Sequence, residues 1–232
     1  MRIKIYMDGA KIEDMLKLRK EKYVSGFTTN PTLMRKAGIT DFEGYCKGIL
    51  KEIYDLPISF EVFADDHNEM KRQAHKISSW GSNVYVKIPI TNTNGLSSVP
   101  LIRELSSQGL KLNITAIMTV DQVKQVVDAI DHRTPSVISV FAGRIADTGR
   151  YPIPIMSKSL ELLKTKPLAE LLWASPREVL NLYQADEIGC HIITMLPELI
   201  TKISLKEKSL EDYSLDTVKM FYNDALSAEY KL

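Results

Sequence analysis

Two cysteines in 232 residues, Cys46 and Cys190, are too few and too far apart for a disulfide framework or a zinc knuckle, and no CxxC pair occurs. Buried free thiols are the expectation. Charge of one sign is equally scarce: 30 Lys plus Arg against 29 Asp plus Glu leave a net charge of +1, which gives no reason to invoke nucleic acid or an anionic membrane as partner. No uninterrupted apolar run reaches transmembrane length, and the opening MRIKIYMDGAKIED is charged too early to hold a signal peptide's apolar core. A cytoplasmic protein without a membrane partner is expected. The four histidines, His67, His75, His132 and His191, form no HxxxH or HExxH spacing and no carboxylate-histidine cluster, so a metal site is not expected; no other cofactor is expected either. Also missing are a GxGxxG, a GxxxxGK[ST] and a GxSxG elbow, which withdraws support from dinucleotide, P-loop and acyl-transfer readings.

What is present is an alternation of short β-rich runs with amphipathic stretches, uninterrupted by any Pro/Gly/Ser-rich linker. The strand candidates are Ile3 to Asp8, Val24 to Asn30, Ile58 to Phe63, Val84 to Ile90, Lys111 to Ile117, Ser136 to Ala142, Glu170 to Ser175 and His191 to Met195. Eight such units argue for one α/β domain over residues 1–232, a single (β/α)8 TIM barrel, against the open doubly wound sheet that the same alternation also fits. At 26.3 kDa such a chain should bury roughly 70% of its unfolded surface, enough for one core without disulfide or metal support. Helices are expected over Asp66 to Ser79, with Met70, Ala74 and Ile77 on one face, and over Thr119 to Ile130, with Val123, Val126, Val127 and Ile130. Thr119 and Asp121 open the latter, and Ser175-Pro176 reads as another cap. Ser214 to Ala228 reads as an additional C-terminal helix, lying over the barrel mouth or against a partner subunit.

Barrel chemistry gathers at the C-terminal ends of the strands. There the chain carries Asp8, Thr28 to Asn30, Glu61, Lys87, Asn113 and Thr115, Ser139, and Ser175. The eighth strand offers only Thr194, and a threonine in a strand is ordinarily structural. Lys87, in VYVKIPI, is the most informative residue, because an apolar strand disfavours a charged amine and a neutral amine can attack a carbonyl to form a Schiff base. The bland alternative is an edge-strand lysine in solvent. Glu61, in ISFEVFA, is an acid in the same predicament; it either pairs with a lysine or passes protons to a carbinolamine. Asp8 is a second acid, or the N-cap of a helix near Gly9. Asn30 and Asn113 read as turn and ladder-end residues or as amides for substrate hydroxyls. Arg144 and Arg177 follow strand ends where a guanidinium can fork onto a phosphate, with Ser175 beside a helix start as a further donor.

These stretches resemble the transaldolase family, which includes the short bacterial transaldolases and the fructose-6-phosphate aldolases. FTTNPTL, FEVFA, VYVKIPIT, LNITAIMT, SVFAGRIADTG and WASPRE carry the resemblance over nearly the whole chain. It implies that Lys87 forms the Schiff base, that Glu61 and Thr115 hold a catalytic water, and that Asp8 is the acid/base. It also implies that Asn30 and Asn113 bind the dihydroxyacetone unit, that Thr29 is a further substrate-binding residue, that Ser139 and Phe141 line the pocket, and that Arg144, Ser175 and Arg177 bind phosphate. Aldolases of the family that use free dihydroxyacetone have Gln and Tyr where this chain has Glu61 and Phe141, so the pair implies transfer between sugar phosphates. MDGA and HIITMLPE depart from the family's usual LDTA or LDTS and DIVTxPP, which bears on the acceptor. The family's habit further implies a homo-oligomer. An aldolase releasing dihydroxyacetone and a noncatalytic sugar-phosphate-binding barrel are the alternative readings.

Overall fold

The computed structural model describes residues 1–21 and 23–231. Eight strands, β1 (Lys4–Asp8), β2 (Gly26–Thr28), β3 (Ile58–Glu61), β4 (Val84–Pro89), β5 (Leu112–Ile117), β6 (Ser136–Val140), β7 (Ala169–Trp173) and β8 (Ile192–Met195), pair in sequence order into a closed parallel barrel. All eight sequence candidates are strands, shorter at one or both ends in every case. Closure comes from β1 against β8, where Lys4, Ile5, Tyr6 and Met7 pair with Ile192, Ile193, Thr194 and Met195.

The helices that return the chain are α1 (Ile12–Lys20), α2 (Pro31–Lys36), α3 (Phe42–Glu52), α4 (His67–Ser78), α5 (Val99–Ser107), α6 (Val120–Ala129), α7 (Ala142–Asp147), α8 (Ile153–Leu163), α9 (Leu180–Glu187) and α10 (Pro197–Thr201). Local chemistry explains their starts. Asp66 accepts from the Asn68 and Glu69 amides to open α4, and Thr119 with Gln122 forms a reciprocal capping box on α6. The α4 face of Met70, Ala74 and Ile77 is buried, Met70 and Ile77 each stabilising the fold by about 1.5–3 kcal/mol through side-chain burial. Outward side chains of the strands, such as Val84, Val86 and Ile88 on β4, meet these helices and form the outer core.

Inside the barrel, Tyr6, Val137, Leu172, Ala174 and Ile192 cluster, with Tyr85 and Phe141 packed on them. Gly26 makes room for the Tyr6 ring: a Cβ at residue 26 would lie 2.6 Å from it. His191, just before β8, accepts the Leu171 amide through Nδ1 at 3.0 Å, and burial holds its imidazole below the usual value, in the neutral form that this bond requires. Cys46 and Cys190 are buried and unpaired, and burial pushes each thiol up to about 12.

The chain divides into two compact units at Ile200. The second, from Thr201 onward, holds a 3-10 turn (Lys202–Leu205) and α11 (Leu210–Ser227). This helix begins earlier than the sequence expectation of Ser214, because Ser209 caps it by accepting from the Asp212 amide. No helix among the described residues is long and apolar enough to cross a membrane.

Candidate active site

Parallel register decides which polar side chains share the barrel interior. Glu61 on β3 pairs directly with Lys87 on β4, and Lys87 with Asn113 on β5, so the three point to the same face. Lys87 is 6% exposed. Its Nζ lies 3.0 Å from Glu61 Oε2 and donates to the Thr29 carbonyl at 2.9 Å, which excludes the edge-strand reading. A lysine brought this close to a carboxylate inside a barrel has a proton acceptor at hand when it turns nucleophile.

Asp8 ends β1 beside this pair and caps no helix, since α1 begins at Ile12. Burial raises its carboxyl above the usual range; Lys87 and the Thr28 hydroxyl act against that, and Glu61 adds to it. Thr28 donates to Asp8 Oδ1 at 2.8 Å and meets Thr194 of β8 at 2.5 Å between hydroxyl oxygens. Two acids and an amine from three different strands therefore converge on one cavity of about 500 Å³ at the C-terminal end of the barrel, within the size range of small-molecule sites.

Thr115 lines this cavity, and its hydroxyl is buried without a hydrogen-bond partner among the described residues. A buried hydroxyl left so is a place for a bound water or substrate oxygen. Thr115 lies on β5 in register with Pro89 of β4, where β5 breaks register with β6 between Ile114 and Ile117 and Ala116 takes the left-handed region at φ 62°. A non-glycine residue held there costs on the order of 1–3 kcal/mol, a local strain of the kind that gathers at functional sites.

Asn30, Ser139 and Phe141 also line the cavity. Asn30 Oδ1 is committed to capping α2, accepting the Leu33 amide at 2.9 Å, so its amide nitrogen is the end it can offer a substrate. Asn113 and Thr29 are absent from the lining. Asn113 is fully buried, donating to Ser59 at 2.9 Å and accepting from Ser139 at 2.7 Å, and the Thr29 hydroxyl donates to the Ser59 carbonyl. They brace the strands that carry the acid and the amine, and Thr29 meets Lys87 through its backbone. Ser59, the centre of that brace, was not singled out from the sequence, where a serine in a strand carries no signal.

The rim holds Arg144, Ser175 and Arg177. Arg144 rests its guanidinium over the Phe141 ring at 5.4 Å, and Arg177 forks onto Asp147, with Nε 3.0 Å from Oδ1. Ser175 corrects the sequence reading: it caps nothing, α9 begins at Leu180, and the Asn181 side-chain Oδ1 receives the Arg177 and Glu178 amides instead. Ser175 has φ 59°, and its carbonyl lies so close to Gly143 that a Cβ there would be 1.5 Å away. The rim thus depends on a glycine in α7 rather than on a helix start at Ser175.

Residues 5–232 match the model of the family described as transaldolase/fructose-6-phosphate aldolase. Among curated relatives, a probable transaldolase of Dehalococcoides mccartyi is 34% identical over 83% of this chain and 86% of its own length. Probable transaldolase 2 of Listeria monocytogenes is 33% identical over 92% and 95%, and a probable transaldolase of Bdellovibrio bacteriovorus is 30% identical over 99% and 100%. Solved barrels such as 3-hexulose-6-phosphate synthase from Salmonella typhimurium share the fold alone, with a TM-score of 0.56, 13% identity, and coverage of 84% of this chain and 88% of that one.

Proposed function

The chain belongs to the transaldolase/fructose-6-phosphate aldolase family, and from that premise we propose that it is a transaldolase working through a Schiff base on Lys87. The observation that carries the reading is the buried Lys87 set 3.0 Å from the half-buried Glu61, with Asp8 opening on the same cavity. Neutral Lys87 adds to the ketone carbon of a ketose phosphate, and the carbinolamine loses water to give an iminium ion. Glu61, through a water held against the unpartnered Thr115 hydroxyl, carries the protons of these steps. Asp8 takes the proton of the C4 hydroxyl as the C3–C4 bond breaks; its electron pair moves to the iminium nitrogen, and an aldose phosphate leaves. The dihydroxyacetone enamine remains on Lys87 and adds to the aldehyde carbon of a second aldose phosphate, whose oxygen takes back the proton; water then adds to the iminium so formed, and the C–N bond breaks to free the new ketose phosphate and the lysine.

Asn30 and Ser139 supply hydrogen bonds for the three-carbon unit, above the brace of Asn113 and Thr29. Arg144 and Arg177 are the counter-charges for the phosphate at the rim, with Ser175 beside them. Phe141 brings no hydroxyl to the cavity that could help water release the enamine, which supports transfer over release. No cofactor enters this scheme. The unit from Thr201 onward is proposed to join copies of the chain, because α11 leaves Leu215, Val218, Phe221, Tyr222 and Leu226 exposed, large apolar side chains gathered on one helix. The cytoplasm is the proposed setting.

Borohydride reduction in the presence of fructose 6-phosphate, followed by peptide mass analysis, tests the mechanism. An adduct on Lys87 that disappears in Lys87→Ala is expected; an adduct elsewhere, or its persistence in the variant, overturns it. Turnover that requires an added aldose phosphate is expected, whereas free dihydroxyacetone formed at a comparable rate without one would make the protein an aldolase.

A further inference from the structure

The three hydroxyl and carboxyl groups of Thr194, Thr28 and Asp8 form a chain across the closure of the barrel, from β8 through β2 to β1. Thr28 and Thr194 are 2% and 5% exposed, and both line the cavity. A threonine hydroxyl has one proton to give. A carboxylate only accepts, so with Asp8 ionised the Thr28 proton points at Oδ1, and the 2.5 Å contact with Thr194 must be made by the Thr194 proton pointing at Thr28. The chain therefore has one direction. Protonating Oδ1 would reverse every bond in it and leave the Thr194 proton without its acceptor.

We propose that Thr194 is a positioning residue for catalysis: through Thr28 it holds Oδ1 of Asp8 as a hydrogen-bond acceptor, leaving Oδ2 as the atom that exchanges the C4 proton with substrate. The inference rests on the acid/base role given to Asp8 above and adds to it which oxygen works and what selects it. The other charged groups facing Asp8 are Lys87 from β4 and Glu61 from β3, and neither takes part in the chain. Hydrogen bonds in series strengthen one another, so the second hydroxyl acts on the carboxyl without touching it.

The test compares Thr194→Val, which removes the hydroxyl at similar volume, with Thr194→Ser, which keeps it. The Asp8 carboxyl is titrated by carbon NMR in protein labelled at aspartate, the resonance identified by its loss in Asp8→Asn. In Thr194→Val the midpoint is expected to rise by about half a pH unit, the acidic limb of kcat to move with it, and kcat to fall about ten-fold with KM changed less than about two-fold. Thr194→Ser should match the parent in all three. An unmoved midpoint in Thr194→Val, or equal losses in both variants, would overturn the proposal and reduce Thr194 to packing. The titration is read without substrate, so it decides the hydroxyl chain even where no adduct forms on Lys87, an outcome that would instead overturn the Schiff-base reading.

Discussion

Glu61 and Lys87 stand 3.0 Å apart, with their side chains 18% and 8% exposed. Such a pair must recover the cost of desolvating two charges, and replacement by apolar residues often leaves a fold as stable or more so. Its presence is better explained by chemistry than by stability. Glu61→Gln keeps the volume and one hydrogen bond to Lys87 while removing a proton acceptor; kcat is expected to fall about 10²-fold or more with the circular dichroism spectrum unchanged, and unchanged turnover would leave Glu61 a structural partner. Asp8 yields a second expectation. Its carboxyl is raised in the folded chain, chiefly by burial, so the folded protein keeps a proton that the unfolded chain has already released. The group's contribution is thus full below the unfolded value and declines as pH rises through the folded one. Asp8→Asn does not titrate, and its Tm should exceed the parent's near neutrality and draw level near pH 4 (about), a gap that stayed constant with pH being the contrary result. Both acids and the lysine are legible in the sequence because a charge inside an apolar strand contradicts its surroundings. Thr28, Thr194 and Ser59 contradict nothing, since hydroxyl and β-branched residues suit strands, and only the closed barrel brings the two threonines to the Asp8 carboxyl and Ser59 to the Asn113 amide.

Strands and helices were readable wherever period and capping agreed, as in α4 with Asp66 and α6 with Thr119. Their ends were less so. The Val24 to Asn30 run shortens to β2 because Asn30 leaves the sheet to cap α2, with Pro31 at its first turn. Ser175-Pro176 carries the residue signature of a helix start, yet the chain remains irregular until Leu180, because Ser175 takes a left-handed conformation packed on Gly143. That contact is tertiary, and no local pattern reports it. Gly143→Ala puts a Cβ 1.5 Å from the Ser175 carbonyl, so the backbone around Ser175 and Arg177 must move. A destabilisation of about 1–3 kcal/mol is expected, together with a rise of about ten-fold in KM for fructose 6-phosphate as the rim arginine shifts. Gly48→Ala is the control: nothing lies within 4 Å of its Cβ, α3 is helical there, and alanine should stabilise by roughly 0.5–1 kcal/mol. Thermal melts and KM of the two side by side check the contrast, and equal behaviour would deny Gly143 its role.

At the scale of the molecule, the residues that line the cavity fall between Asp8 and Leu196, within the barrel unit, which carries the acids and the amine. The unit from Thr201 onward contains an 18-residue helix with no buried residue. An isolated helix in water gains little beyond its own hydrogen bonds, and most helical stability comes from covering an apolar face. Burying Val218 and Phe221 against another copy would contribute about 1.5–3 kcal/mol per side chain and per protomer. Replacing both by lysine puts two charges into such a contact and removes that contribution. Sedimentation equilibrium of the parent is therefore expected to give a multiple of 26.3 kDa, and of the double variant a lower mass, approaching the single chain. Because the catalytic groups belong to the barrel, the variant should still yield the borohydride adduct on Lys87. A parent that sediments as a single chain, or a variant that keeps the parent's mass, would exclude α11 as the contact between copies.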